Sequence, residues 1–214
     1  MLCAFREVGC APFRIRVASS RDGGRTWSLL STVDSSASGL WEPFLLSPDG
    51  ELVHVFYSSE VYQPQYPQVI AVRTSADGGK SWSAPRIVAC SPRSRDGMAS
   101  VVILPNGDWL CFFEATDAAN PFVIRSLRSQ DGGQTWTHRS LVYAPDSLHF
   151  ASAPYSALLF DGSLLVTFQT DEDRSIESNS VSLDLKYVRS FDGGRRGQSP
   201  SPFWRVQRPT GGTR

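Results

Sequence analysis

Glu42, in Leu40-Trp41-Glu42-Pro43-Phe44, and Glu114, in Leu110-Cys111-Phe112-Phe113-Glu114, are carboxyl groups set among aromatic residues. Aromatic neighbours strip water from a carboxyl and raise its pKa, so the more buried of two can serve as a proton donor while the other stays ionised. Such a pair is the minimum equipment for cleaving a glycosidic bond, one member as acid/base and the other as nucleophile or base. The plain alternative for each is a solvated residue at a strand end, and a shared scaffold is what separates the readings. Polar residues in comparable places supply further candidates. Arg6, Tyr57, Glu60, Arg95, Asp96 and Gln169 are the side chains expected to contact sugar hydroxyls, with loop-structural roles as the competing reading.

The elements that must position these residues are written as repeats. Ser20-Arg21-Asp22-Gly23-Gly24-Arg25-Thr26-Trp27 returns as Ser75-Ala76-Asp77-Gly78-Gly79-Lys80-Ser81-Trp82 and as Ser129-Gln130-Asp131-Gly132-Gly133-Gln134-Thr135-Trp136. A broken fourth copy begins Ser190-Phe191-Asp192-Gly193-Gly194-Arg195. The period is about 55 residues, which marks a radial array. In each copy the Asp can fold back on backbone N–H groups, the glycines allow positive φ, and the Trp pins the turn to the body of the protein. Strands are expected before each copy, over Phe13 to Ala18, Val69 to Arg73 and Phe122 to Leu127, and again after each Trp. A second hairpin signal is interleaved, at Asp49-Gly50, Asn106-Gly107 and Asp161-Gly162, each between apolar runs. Two hairpins per period give four strands, which is a β-propeller blade, and no helical periodicity of useful length competes.

The expected fold is therefore all-β, a partial propeller over residues 1–194, with residues 195–214 expected to be a disordered or aberrant tail because Arg, Gly, Pro and Ser replace the strand pattern. Six such blades would need about 330 residues; the chain has 214, enough for about three and a half. An open array leaves sheet faces uncovered, so poor expression or aggregation is expected, against which a soluble monomer with a cooperative melt would count. Alternating strand direction puts the Asp-Gly turns and the Asp motifs on one face. The opposite face carries the approach to each first strand and the exit from each second strand, where Glu42 and Glu114 are expected to arrive from adjacent blades. Counting eight residues from each turn aligns the exits as Tyr57, Glu114 and Gln169, with Arg6 as their counterpart in the first blade.

Composition narrows the classes. Lys and Arg balance Asp and Glu, with net charge +0, so nothing points to nucleic acid or anionic lipid as a partner. No apolar run reaches the ~18 residues of a membrane span. Cys3 and Cys111 occupy equivalent second-strand positions and are expected in the core; Cys10 and Cys90 fall near loops, and no spacing supports a disulfide. His54, His138 and His149 are scattered, so neither a metal site nor a cofactor is expected.

The eight-residue repeat resembles the Asp box, or bacterial neuraminidase repeat, of sialidase-like propellers. Trp-Glu-Pro-Phe at 41–44, Phe56-Tyr57-Ser58-Ser59-Glu60, Gln68-Val69-Ile70, Ser94-Arg95-Asp96-Gly97-Met98 and the Phe-Phe-Glu exit at 112–114 are similar to family 93 glycoside hydrolases, exo-1,5-α-L-arabinanases on a six-bladed propeller. The resemblance covers about residues 1–194. It implies Glu42 and Glu114 as the catalytic pair, with retention of configuration and hence carboxylates about 5–5.5 Å apart. It also implies arabinan as substrate, a monomer when the ring is complete, and secretion as the usual location, although no signal peptide opens this sequence. A sialidase is the first rival; it needs three arginines around a carboxylate, and Phe13-Arg14-Ile15-Arg16 lacks the Pro of the sialidase motif and lies in a strand running into an Asp box. A non-catalytic propeller acting as a binding platform is the second, and it would not require paired glutamates.

Overall fold

The computed structural model describes residues 1–9, 11–116, 121–146, 148–173 and 183–194. The tail expected over residues 195–214 and Cys10 lie outside the described residues. Those described form β-strands joined by turns: β1 (Leu2–Glu7), β2 (Phe13–Ser19), β3 (Ser28–Ser36), β4 (Leu40–Leu46), β5 (Val53–Ser59), β6 (Val69–Ser75), β7 (Arg86–Ala89), β8 (Asp96–Ile103), β9 (Trp109–Ala115), β10 (Val123–Ser129), β11 (Thr137–Tyr143), β12 (Ala151–Leu158), β13 (Leu164–Thr170) and β14 (Asp184–Ser190). They assemble into four sheets of consecutive strands, β1-β2-β3, β4-β5-β6-β7, β8-β9-β10-β11 and β12-β13-β14. Neighbouring strands within each sheet pair antiparallel, as two hairpins per repeat require.

The Asp-box turns form as their composition dictates. Asp22 Oδ1 accepts the N–H of Arg25 at 3.0 Å and of Thr26 at 2.9 Å, and Oδ2 accepts the Thr26 hydroxyl at 2.6 Å. Ser20 Oγ donates to Asp22 Oδ1 at 2.7 Å and accepts the Gly24 N–H at 2.8 Å. Asp77 and Asp131 repeat the arrangement with their own neighbours. The hydroxyl of Thr26, Ser81 or Thr135, followed by the backbone amides, holds each carboxyl well below the usual carboxylate range. These aspartates are fastened into their turns as structural anchors. The glycines take the positive φ that the sequence anticipates, for example 73° at Gly78 and 89° at Gly79.

The chain divides into two compact units, Met1–Ala99 and Ser100–Arg214. The first unit is cored by Ile15, Val17, Val33, Leu40, Val55 and Tyr57. The second is cored by Val102, Leu110, Phe112, Ile124, Leu164 and Phe168, among others. Cys111 is fully buried there, but Cys3 is exposed, contrary to the expectation for it. The two occupy the same ladder position, yet β9 is flanked on both sides by strands of its sheet whereas β1 is an edge strand.

The ladders also define the register of the repeat. In three sheets the first residue of the second hairpin strand faces the first serine of the Asp box: Val53 opposite Ser75, Trp109 opposite Ser129 and Leu164 opposite Ser190. In the first sheet Met1 takes that place, its carbonyl accepting the Ser20 N–H at 3.0 Å. Counting six from this anchor gives Arg6, Ser58, Glu114 and Gln169 as equivalent residues.

Candidate active site

Glu42 sits in a local distortion that the sequence foreshadows only through Pro43. The β4–β5 ladder slips between Trp41 and Phe44, and Glu42 bends to a φ of 29°. Such a backbone is uncommon for a residue with a side chain. The same kink recurs near the start of every later first strand, with Met98 at 53° in β8 and Ala153 at 52° in β12. The kink turns the chain where each first strand begins, and in the first unit it presents a carboxyl there.

Around Glu42 the first unit gathers charge and aromatic surface. Arg6 Nη1 donates to Glu42 Oε1 at 3.1 Å, and its guanidinium stacks over the Trp41 ring at 5.0 Å. Phe13 backs that ring at 5.8 Å between centroids. Gly39 leaves room for the assembly: a Cβ there would lie 2.6 Å from Glu60 Oε2 and run into the Trp41 indole nitrogen. That nitrogen is buried without a hydrogen-bond partner. Burial pushes the Glu42 carboxyl above its ordinary range; Arg6 and then Arg95 pull it back, and Glu60 adds to the push.

A carboxyl raised by folding adds stability below its unfolded pKa and loses that contribution as pH rises through the folded value. At neutral pH Glu42 is thus a cost to the fold. Glu42→Gln is expected to melt at the same or a higher temperature than wild type at neutral pH, and to lose that advantage near about pH 4. A lower melting temperature at neutral pH would show that the Arg6 contact outweighs the burial.

Of the residues expected beside a sugar, Arg6, Glu60 and Arg95 are thus grouped with Glu42. Tyr57 does not join them, and its alignment is corrected by the ladders. One more residue separates Gly50 from the anchor Val53 than separates Gly107 from Trp109 or Gly162 from Leu164. Counting from the turn therefore slipped the register by one, and a one-residue slip in a strand reverses the face. Ser58 is the true counterpart of Glu114. Tyr57 is 1% exposed, donates its hydroxyl to Asp34 Oδ2 at 2.5 Å and accepts from Arg73 Nε at 3.4 Å. Burial, and then Asp34, push its phenol far above the ordinary value. Asp96 is likewise internal: it is 0% exposed, accepts the Ser94 hydroxyl at 2.6 Å, and exchanges backbone contacts with Gln68. It ties the start of β8 to the approach to β6.

In the second unit Glu114 is buried at the end of β9, and its Oε2 accepts the Ala153 N–H at 3.0 Å. Gln169 donates to Ser152 Oγ at 3.0 Å, beside that kink. Arg14 and Arg16 both reach Glu7, at 3.3 and 2.9 Å, so the arginines of the Phe-Arg-Ile-Arg segment are consumed locally. Among the described residues no group of three or more His, Cys, Asp or Glu side chains is placed to hold a metal ion.

The sheets and their Asp boxes define a sialidase-like β-propeller architecture. The chain belongs to the BNR repeat-like domain family, which matches residues 6–184. Among solved structures it is similar to the α-L-arabinanase of Penicillium chrysogenum in complex with arabinobiose, at 20% identity and a TM-score of 0.69, covering 97% of this chain and 59% of that one. The α-L-arabinofuranosidase of Fusarium graminearum bound to an iminosugar inhibitor matches at 20% identity and a TM-score of 0.70, with the same coverage. A Hadza microbial sialidase matches at 14% identity and 0.58, covering 92% and 45%. The chain thus spans 59% of the length of these two enzymes. A comparison with curated proteins returns no match.

Proposed function

We propose that this chain carries the catalytic glutamates of a retaining, exo-acting glycoside hydrolase that cleaves α-1,5-linked arabinan, with Glu42 and Glu114 as the carboxyl pair. The observation that carries the reading is Glu42 itself. It is a half-buried glutamate at a left-handed kink whose counterparts are Met98 and Ala153, and it alone of the three brings a carboxyl there, paired with Arg6. Glu114 belongs to the pair by sequence resemblance and by its burial at the end of β9. The likeness to an arabinanase complexed with arabinobiose and to an arabinofuranosidase bound to an iminosugar supports a furanoside substrate.

In such a reaction one glutamate attacks the anomeric carbon while the other, protonated, delivers its proton to the leaving oxygen. Water then enters with that second glutamate acting as base. The rival sialidase chemistry is disfavoured because Arg14 and Arg16 are bound to Glu7 and Arg6 to Glu42, whereas a sialic acid carboxylate needs three converging arginines. The experiment is product analysis. Incubation with linear α-1,5-arabino-oligosaccharides should release short products from one end with retained anomeric configuration, and sialyl-lactose should remain intact. Inverted products, or release of sialic acid, would overturn the reading.

A further inference from the structure

The first-strand kinks have partners that follow one rule. At three sheet junctions the residue at the sixth ladder position, counted from the anchor, reaches the kinked residue of the next sheet's first strand. Ser58 Oγ accepts the Met98 N–H at 3.1 Å, within the first unit. Glu114 Oε2 accepts the Ala153 N–H at 3.0 Å, within the second. At both joints the side chain is an acceptor that satisfies a backbone donor exposed by the positive φ. The Arg6–Glu42 joint breaks the rule. Arginine has no acceptor to offer, and its Nη1 meets the Glu42 carboxylate at 3.1 Å. At this joint a cation meets a carboxylate where the other two place an acceptor against an amide, and the guanidinium carbon lies 5.0 Å over the Trp41 ring, which Phe13 backs.

We infer that Arg6 is a positioning residue for Glu42, clamping one carboxylate oxygen across the sheet junction and stabilising its ionised form, rather than a direct contact to substrate. This rests on the reading of Glu42 as a catalytic carboxyl. The charged groups acting on Glu42 within the first unit are Arg6 from β1, Arg95 from the approach to β8 and Glu60 from the exit of β5. Arg6 is in ion-pair contact with it. Trp41 fixes the planar guanidinium by a cation–π contact, which a lysine would reproduce poorly.

The test is a carboxyl titration of the full chain labelled with 13C at glutamate side chains, with Glu42→Gln identifying the Glu42 signal. Arg6→Met is expected to raise the Glu42 midpoint by about one pH unit, since an opposite charge within ion-pair distance shifts a carboxyl by about 1–3 units and this pair is partly exposed. Arg6→Lys is expected to recover part of the shift. The wild-type midpoint should also rise between low and high salt, as screening weakens the pair. That second measurement needs no variant, so a misfolded Arg6→Met leaves the proposal testable. An unmoved midpoint in folded Arg6→Met, or a wild-type midpoint indifferent to salt, overturns it. Neither readout depends on turnover. A chain that shows the coupling yet retains activity as Glu42→Gln would retire Glu42 as a catalytic carboxyl and leave the Arg6 clamp standing.

Discussion

Glu114→Gln is expected to lower turnover of α-1,5-arabino-oligosaccharides by about 10²–10⁴-fold, the range a positioned acid or base contributes, while the protein keeps its fold. The substitution separates two jobs of one side chain. A glutamine carbonyl can still accept the Ala153 N–H that Glu114 Oε2 accepts at 3.0 Å, so the buried amide keeps its partner. What disappears is the charge and the exchangeable proton. Near-coincident melting curves with a collapse of turnover would assign Glu114 to the chemistry. Parallel losses in both would mark it as the structural acceptor of its joint, the job Ser58 performs for Met98. Glu42→Gln should lose turnover over the same range. Alanine at each position, assayed with azide, would then divide the roles: the nucleophile variant yields the glycosyl azide of inverted configuration and the acid/base variant the retained one.

Asp34→Ala is expected to cost about 3 kcal/mol of unfolding free energy, because it strands the buried Tyr57 hydroxyl and the half-buried Arg73 guanidinium at once. Asp34 Oδ1 binds Arg73 Nη2 at 2.9 Å, and Oδ2 accepts the Tyr57 hydroxyl at 2.5 Å. The Asp34 and Arg73 side chains are only 14% and 20% exposed. Arg73 also donates to the Ser83 carbonyl at 2.7 Å, a second tether on its guanidinium. Tyr57→Phe should cost only about 1 kcal/mol, since the ring still fills its place and Arg73 still binds Asp34. Denaturant melts of the two variants would separate the cases. A loss for Asp34→Ala no larger than that for Tyr57→Phe would mean that the charge is solvated well enough to do without its pair. In that case the network would not be what holds Tyr57 inward.

The comparison of Tyr57 with Glu114 shows where sequence reading stops. Strand identity, the turns and the blade period were legible because each depends on a local signal. Gly-Gly after Asp accepts a backbone that few other pairs accept, and two hairpin cues per period require four strands. Register depends on the number of residues between the turn and the first ladder pair, and the Asp49-Gly50 turn holds one more than its counterparts. No residue type announces that addition, yet it exchanges the two faces of β5 and sends Tyr57 inward. Asp96 was misread for a related reason: a polar residue before a strand looks like a rim group until Ser94 and Gln68 are found to enclose it.

By itself, then, the sequence determined the all-β class, the Asp-box turns and the glutamate-bearing segments, because short-range backbone preferences and aromatic neighbours are written residue by residue. Tertiary structure alone decided the kink that turns Glu42 out of its strand, the clamp of Arg6 upon it over Trp41, and the inward commitment of Tyr57 and Asp96. Those outcomes depend on which strands lie side by side and on how far each ladder is slipped. Both quantities are sums over long-range contacts that no single segment contains.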